Sequence, residues 1–127
     1  TQYIKTTRPE KDSYLMTDKA IVYTTCSDPM EAAQLAQRLI KTRLAACVNV
    51  IPSVVSYYRW QGKIENSNEV LLMIKTARAN VDAVCAELEK AHSYALPEFI
   101  AVPIVSGSAN YLAWLEKELG MSGEDSE

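Results

Sequence analysis

The stretch whose reading decides the fold is "ACVNVIPSVVSYYRWQGKIENSNEVLLMIKT", Ala46 to Thr76. As far as Trp60 it is strand-like, with Val48, Val50, Val54, Tyr58 and Trp60 on one parity. Pro52 interrupts this run. Proline donates no ladder hydrogen bond, so Pro52 belongs at a bulge or on an edge rather than in regular central pairing. Gln61 and Gly62 make a tight turn, with Glu65 to Asn68 as the rival turn, and Lys63 to Thr76 returns as the partner strand. In that return strand Val70, Leu72 and Ile74 share one parity while Leu71 and Met73 share the other. Both faces are therefore apolar, where a solvated face would alternate with polar groups.

Outward from this ribbon, Lys19 to Cys26 ("KAIVYTTC") is a β-branched and aromatic strand. A helix start follows in "DPME": Asp28 can accept from the first free amides, Pro29 suits the first helical position, and Glu31 completes a capping-box spacing. Ala32, Ala36, Leu39 and Ile40 recur at helical spacing and carry that helix to about Arg43. A second helix has Val81, Val84, Cys85, Leu88 and Ala91 as its apolar stripe. Glu98 to Val105 is a fourth strand, placed on an edge by Pro103. A third helix runs from about Ala109 to Leu119 and stops at Gly120. Residues 1–17 are expected as an N-terminal arm, 18–120 as one folded domain, and 121–127 as a solvated acidic tail. The order βαββαβ with an additional C-terminal helix predicts an α+β, ferredoxin-like subunit with an antiparallel sheet and a long central hairpin.

At 127 residues the chain is long enough to bury a core without metal or disulfide staples. Thirteen Lys and Arg against sixteen Asp and Glu leave a charge of -3, which lacks the electrostatic footprint of a nucleic-acid binder. No run approaches the ~18 apolar residues of a membrane span, and the opening residues lack the apolar core of a signal peptide. The expectation is a soluble cytoplasmic protein with no membrane partner. Cys26, Cys47 and Cys85 are odd in number and contain no Cys-x-x-Cys pair, which fits reduced thiols. A single histidine, four glycines, no Gly-rich phosphate loop and no nucleophile beside a recognisable base argue against an enzyme.

Geometry then raises the question of what covers the ribbon. A strand of about 16 residues spans roughly 50 Å at ~3.3 Å per residue. A helix of about 16 residues spans only ~24 Å. Two helices cannot roof the whole hairpin, and its uncovered half carries Tyr57, Tyr58 and Trp60. These rings are expected to form the seam between copies in a tight homo-oligomer; the alternative is an ordinary core inside a shorter strand.

The segments "RLAACVNVIP", "SYYRWQGKIE", "EVLLMIKT", "YALPEFIAVPI" and "YLAWLEKEL" resemble the CutA family, the divalent-cation tolerance proteins, from about Ala20 to Leu119. The resemblance implies a compact homotrimer similar in architecture to the PII signalling proteins, and a link to tolerance of copper and other divalent metals. Position by position it singles out Cys47, Lys75, Trp60, His92, Tyr94 and Glu98. Ser93 and Ala95 depart from the family pattern, and Thr24 stands where some members have a cysteine.

Copper favours soft sulfur and imidazole ligands, which makes Cys47, His92 and Glu98 the metal candidates, to be brought together only by folding and assembly. Cys47 as a buried apolar group, and His92 as a partly exposed cation at a helix C-terminus, are the bland readings. Trp60, Glu69, Lys75 and Tyr94 are the candidates for an inter-subunit cleft holding an anionic or zwitterionic ligand, with a structural Lys75–Glu69 ion pair as the alternative. Two functions follow: a trimeric metal-binding tolerance protein with no obligatory cofactor, or a PII-like sensor or scaffold in which metal is incidental.

Overall fold

A computed structural model describes residues 17–120; the expected arm, apart from Thr17, and the acidic tail lie outside the described residues. The elements are β1 (Lys19–Cys26), α1 (Pro29–Lys41), β2 (Cys47–Trp60), β3 (Lys63–Ala77), α2 (Val81–Ala91), β4 (Ile100–Pro103) and α3 (Ala109–Glu118). The strands form one antiparallel sheet in the order β2-β3-β1-β4, which is the ferredoxin-like arrangement.

Local chemistry explains the boundaries. The Asp28 side chain accepts from the Glu31 amide at 2.8 Å and Pro29 opens α1, as its spacing predicts. The helix ends at Lys41 rather than Arg43, because Arg43 takes φ 60° and the amides of Arg43 and Leu44 return to the carbonyls of Ile40 and Leu39, both at 3.0 Å. This is a Schellman closure built on a non-glycine residue. The Arg43 guanidinium in turn donates to the Glu118 carbonyl at the end of α3, at 2.7 Å. Strand β4 is shorter than expected, since it pairs with β1 only from Ile100 to Pro103. It lies on the sheet edge, as Pro103 requires.

The hairpin turn is Gln61–Gly62, not Glu65–Asn68: both turn residues have positive φ, 50° and 82°, and Trp60 pairs with Lys63. Such a turn matches the right-handed twist of the strands. Pro52 sits on the edge strand and at a bulge. Ile51 pairs with Leu71 but Val54 pairs with Glu69, so β2 carries one extra residue, with Ser53 at φ 64°. A one-residue slip moves every later side chain to the opposite face. The single-parity grouping of Val48, Val50, Val54, Tyr58 and Trp60 is thereby corrected. Val48 and Val50 share the face of Ile74 and Leu72, whereas Val54, Tyr58 and Trp60 share that of Glu69, Leu71 and Met73.

Helices α1 and α2 cover the first of these faces. Leu35, Leu39, Val84 and Leu88 close over Val22, Val70, Leu72 and Ile74 to make the core, and an Arg38–Glu87 ion pair ties the two helices together. The second face presents Ile21, Tyr23, Ile51, Leu71, Met73, Ile100 and Val102 by strand alternation. Only its Lys19–Ala77 end is met by α3, through Glu116 on the buried Lys19 ammonium at 2.9 Å and Tyr111 near Lys75 at 3.5 Å.

Within the core, the Thr24 hydroxyl is fully buried and has no hydrogen-bond partner among the described residues. An unpaired buried hydroxyl costs about 1–3 kcal/mol. Replacing it with an isosteric methyl, Thr24→Val, is therefore expected to raise stability by ~1 kcal/mol, read as a higher urea midpoint at unchanged m. A lower midpoint would show that the hydroxyl has a partner after all.

Candidate functional site

A polar knot forms where α1 begins and α2 ends. The His92 side chain is 0% exposed. Its Nε2 lies 2.7 Å from the Thr25 carbonyl and its Nδ1 3.0 Å from the Tyr94 amide. A carbonyl can only accept and an amide can only donate, so the ring is the neutral tautomer with its proton on Nε2. The Tyr94 ring packs against it at 4.8 Å, and the Tyr94 hydroxyl donates to Glu69 Oε2 at 2.7 Å. Burial, followed by that hydrogen bond to Glu69, pushes the Tyr94 phenol well above its usual range.

Glu31 is the hub of this knot. It accepts from the Ser93 amide at 2.8 Å and hydroxyl at 3.1 Å, and from the Ser27 amide at 3.3 Å and hydroxyl at 3.1 Å. Burial alone would raise its carboxyl, but the bonds from Ser93 and Ser27 outweigh it and hold the group below its usual range. The neighbouring Cys26 thiol is pushed up to about 11, by burial first and then by the Glu31 charge. It is an inert thiol rather than a reactive one.

The predicted residues are dispersed along the chain. Both His92 nitrogens are engaged, so in this arrangement the ring offers a metal no free lone pair. Nor is it a partly exposed cation, because it is enclosed. Cys47 is half-buried at the start of β2, opposite Lys75, with its sulfur 4.0 Å from the Asn49 side-chain oxygen. Glu98 stands in the loop before β4. Among the described residues, no three His, Cys, Asp or Glu side chains converge as a metal-binding group.

Of the cleft candidates, Tyr94 and Glu69 are brought together by their 2.7 Å hydrogen bond, whereas Lys75 and Trp60 stand apart from them. Glu69 and Lys75 are six residues apart on one strand, roughly 20 Å, which excludes the ion pair within a chain. Lys75 instead lies 5.6 Å over the Tyr111 ring, and Tyr111 stacks on Trp114 at 5.6 Å and 24°. Trp60, Tyr57 and Tyr58 are 57%, 72% and 41% exposed in the single chain. The described residues of their own subunit do not enclose them.

The roles of Glu31, Ser27, Ser93 and Thr25 were missed by the sequence reading. The capping-box spacing flagged Glu31 as a helix start, but nothing in the linear pattern showed that its carboxylate would also grip the segment after α2. Glu31→Gln is expected to cost about 1–2 kcal/mol at neutral pH. Because the folded carboxyl is depressed, its contribution is present above the unfolded value and is lost as pH falls through the folded one. The gap between variant and wild type should accordingly close in urea titrations below pH ~4; a constant gap would assign the loss to packing.

Comparison with known proteins agrees with this architecture. A sequence model for the CutA1 divalent ion tolerance protein family matches residues 20–118. The Protein CutA homolog of Xenopus laevis is 42% identical over 104 residues, covering 82% of this chain and 69% of that protein. The Divalent-cation tolerance protein CutA of Pectobacterium atrosepticum is 37% identical over 102 residues, covering 80% and 93%. The chain spans 63% of the human Protein CutA, at 38% identity over 112 residues. Among solved structures, CutA from Xylella fastidiosa superposes with a TM-score of 0.79 at 43% identity, over 81% of this chain and 99% of that one. By its fold, its motifs and these matches, the chain belongs to the CutA family of divalent-ion tolerance proteins.

Proposed function

We propose that three copies of this chain assemble on the open sheet face as a cytoplasmic homotrimer that binds divalent metal ions, copper foremost, in a metal-tolerance response. It is a binding protein rather than an enzyme, with itself and the metal ion as partners. The observation that carries the assembly is the second sheet face, apolar on all four strands and continuous with Tyr58 and Trp60 on the ribbon. Burying such side chains is worth ~1.5–3 kcal/mol each, and a patch of this extent left in water favours association. The chain's charge of -3 speaks against a nucleic-acid partner, and no described helix is long and apolar enough to cross a membrane.

The metal reading is supported by family membership and by the half-buried Cys47 thiol, a soft ligand on the face where copies would meet. Since His92 is locked, the remaining ligands, Glu98 among the candidates, have to come together through assembly. A PII-like sensor is the second reading. It is favoured by a cavity of about 340 Å³ beside Glu69, lined by polar Ser27, Ser53 and Asn68 and by apolar Pro29, Val55 and Val70, a mixed lining that suits a small organic molecule better than a bare ion.

Sedimentation should show a three-chain species at micromolar concentration, and Trp60→Asp should shift it toward single chains; a stable folded single chain would end the assembly. Chelator competition with Cu(I) and Cu(II) should find Cys47→Ser at least tenfold weaker than wild type. Equal affinities would remove Cys47 as a ligand. A cleft metabolite, if the second reading holds, should raise the melting temperature by mass action.

A further inference from the structure

One nitrogen of the enclosed His92 ring stands between two partners. Nε2 lies 2.7 Å from the Thr25 carbonyl, and that bond survives in either charge state, because Nε2 carries a proton in both. Nδ1 differs. It accepts from the Tyr94 amide at 3.0 Å, and the Glu31 carboxylate on α1 stands 3.7 Å away. An unprotonated Nδ1 can serve only the amide, whereas a protonated Nδ1 is a donor and can serve only the carboxylate. Glu31 Oε2 already accepts from the Ser93 amide at 2.8 Å and has a second lone pair for the ring. A shift of about 1 Å brings that pair to the distance of a charge-assisted hydrogen bond.

Three groups around the ring keep their own state between about pH 8 and pH 5, where imidazole gains its second proton. Glu31 stays ionised: burial raises its carboxyl, but the bonds from Ser93 and Ser27 outweigh it and hold the group below its usual range. Cys26, at the end of β1, stays a neutral thiol, pushed up to about 11 by burial and then by the Glu31 charge. Tyr94 stays a phenol, raised by burial and then by its bond to Glu69. Asp28, ahead of α1, and Glu69, on β3, act on the same thiol, so a charged His92 sits among three acids.

We propose that His92 is a proton-operated latch: uptake of one proton passes Nδ1 from the Tyr94 amide to Glu31 and withdraws the Tyr94 hydroxyl from Glu69. The Tyr94 amide then loses its acceptor and meets an N–H instead, so the backbone there has to move. The Tyr94 ring packs on His92 at 4.8 Å and its hydroxyl reaches Glu69 at 2.7 Å, which carries the displacement to that carboxylate. Glu69 lines the 340 Å³ cavity beside the β2 bulge. The neutral ring keeps Glu69 engaged there, and the charged ring leaves it open to solvent or ligand. The latch lies within a single chain and does not rest on the assembly or the metal binding proposed above.

The chain has a single histidine, so uniform nitrogen-15 labelling gives one set of imidazole nitrogens, those of His92. The full chain is titrated by NMR from about pH 8 to about pH 5, with circular dichroism confirming at each step that it stays folded. A second sample carries 3-fluorotyrosine, and the Tyr94 fluorine signal is the one absent from Tyr94→Phe. At the alkaline end the nitrogen shifts should report a proton on Nε2. As the ring charges, the Tyr94 amide and fluorine signals should move with the same midpoint. In Glu31→Gln the transition should need a proton concentration at least about threefold higher, because the charged ring has lost the carboxylate that receives it. A ring that stays neutral until the protein unfolds would overturn the latch. So would Tyr94 signals that stay fixed while the ring titrates, or an unshifted transition in folded Glu31→Gln. Should that variant not fold, the shared midpoint in the unaltered chain decides alone.

Discussion

One extra residue in β2 governs how this molecule meets its surroundings. The slip at Pro52–Ser53 turns the outer half of the hairpin over relative to the inner half, so Trp60 and Tyr58 join the open side of the sheet instead of following Val48 and Val50 into the core. The bulge is tolerated because β2 is an edge strand, where the amide missing at Pro52 breaks no pairing on its outer side. Without it, the same rings would lie on the helix side, and Val55, Tyr57 and Arg59 would take their place on the open face.

The sheet is thus apolar on both sides for two different reasons. Its first face is closed by α1 and α2 within the chain, with Leu35, Leu39, Val84 and Leu88 over Leu72 and Ile74. Among the described residues its second face is met only at the Lys19–Ala77 end, by α3 through Glu116 and Tyr111. Among the described residues the helices cover one apolar sheet face, and the hairpin carries the other beyond them, which is the surface on which the proposed assembly rests.

At the junction of α1 and α2 the family motif residues perform structural work. The neutral His92 ring is spent on the Thr25 carbonyl and the Tyr94 amide, and Glu31 binds the Ser93 backbone and the Ser27 turn together. Their joint effect is to hold the Tyr94 hydroxyl on Glu69, at the edge of a cavity lined by polar and apolar residues alike. Histidine here is a clamp for the neighbouring tyrosine rather than a ligand in waiting, which shifts attention from imidazole to the Cys47 thiol and to the cleft.

Periodicity, caps and turn residues determined the elements, because those signals are local: Asp28 and Pro29 open a helix, Gln61–Gly62 closes a hairpin, and β-branched runs make strands. The order of those elements was enough to imply the ferredoxin-like sheet, and the length of the ribbon against that of a helix was enough to show a surface left over. Tertiary structure alone decided which face each ring takes, since a single bulge inverts parity and Pro52 announced an irregularity without its size. It alone decided that His92 is buried and bonded at both nitrogens, that Lys75 pairs with Tyr111 rather than Glu69, and that Arg43 can close α1 without a glycine. Each of these depends on contacts between residues far apart in the chain, and linear spacing carries no information about them.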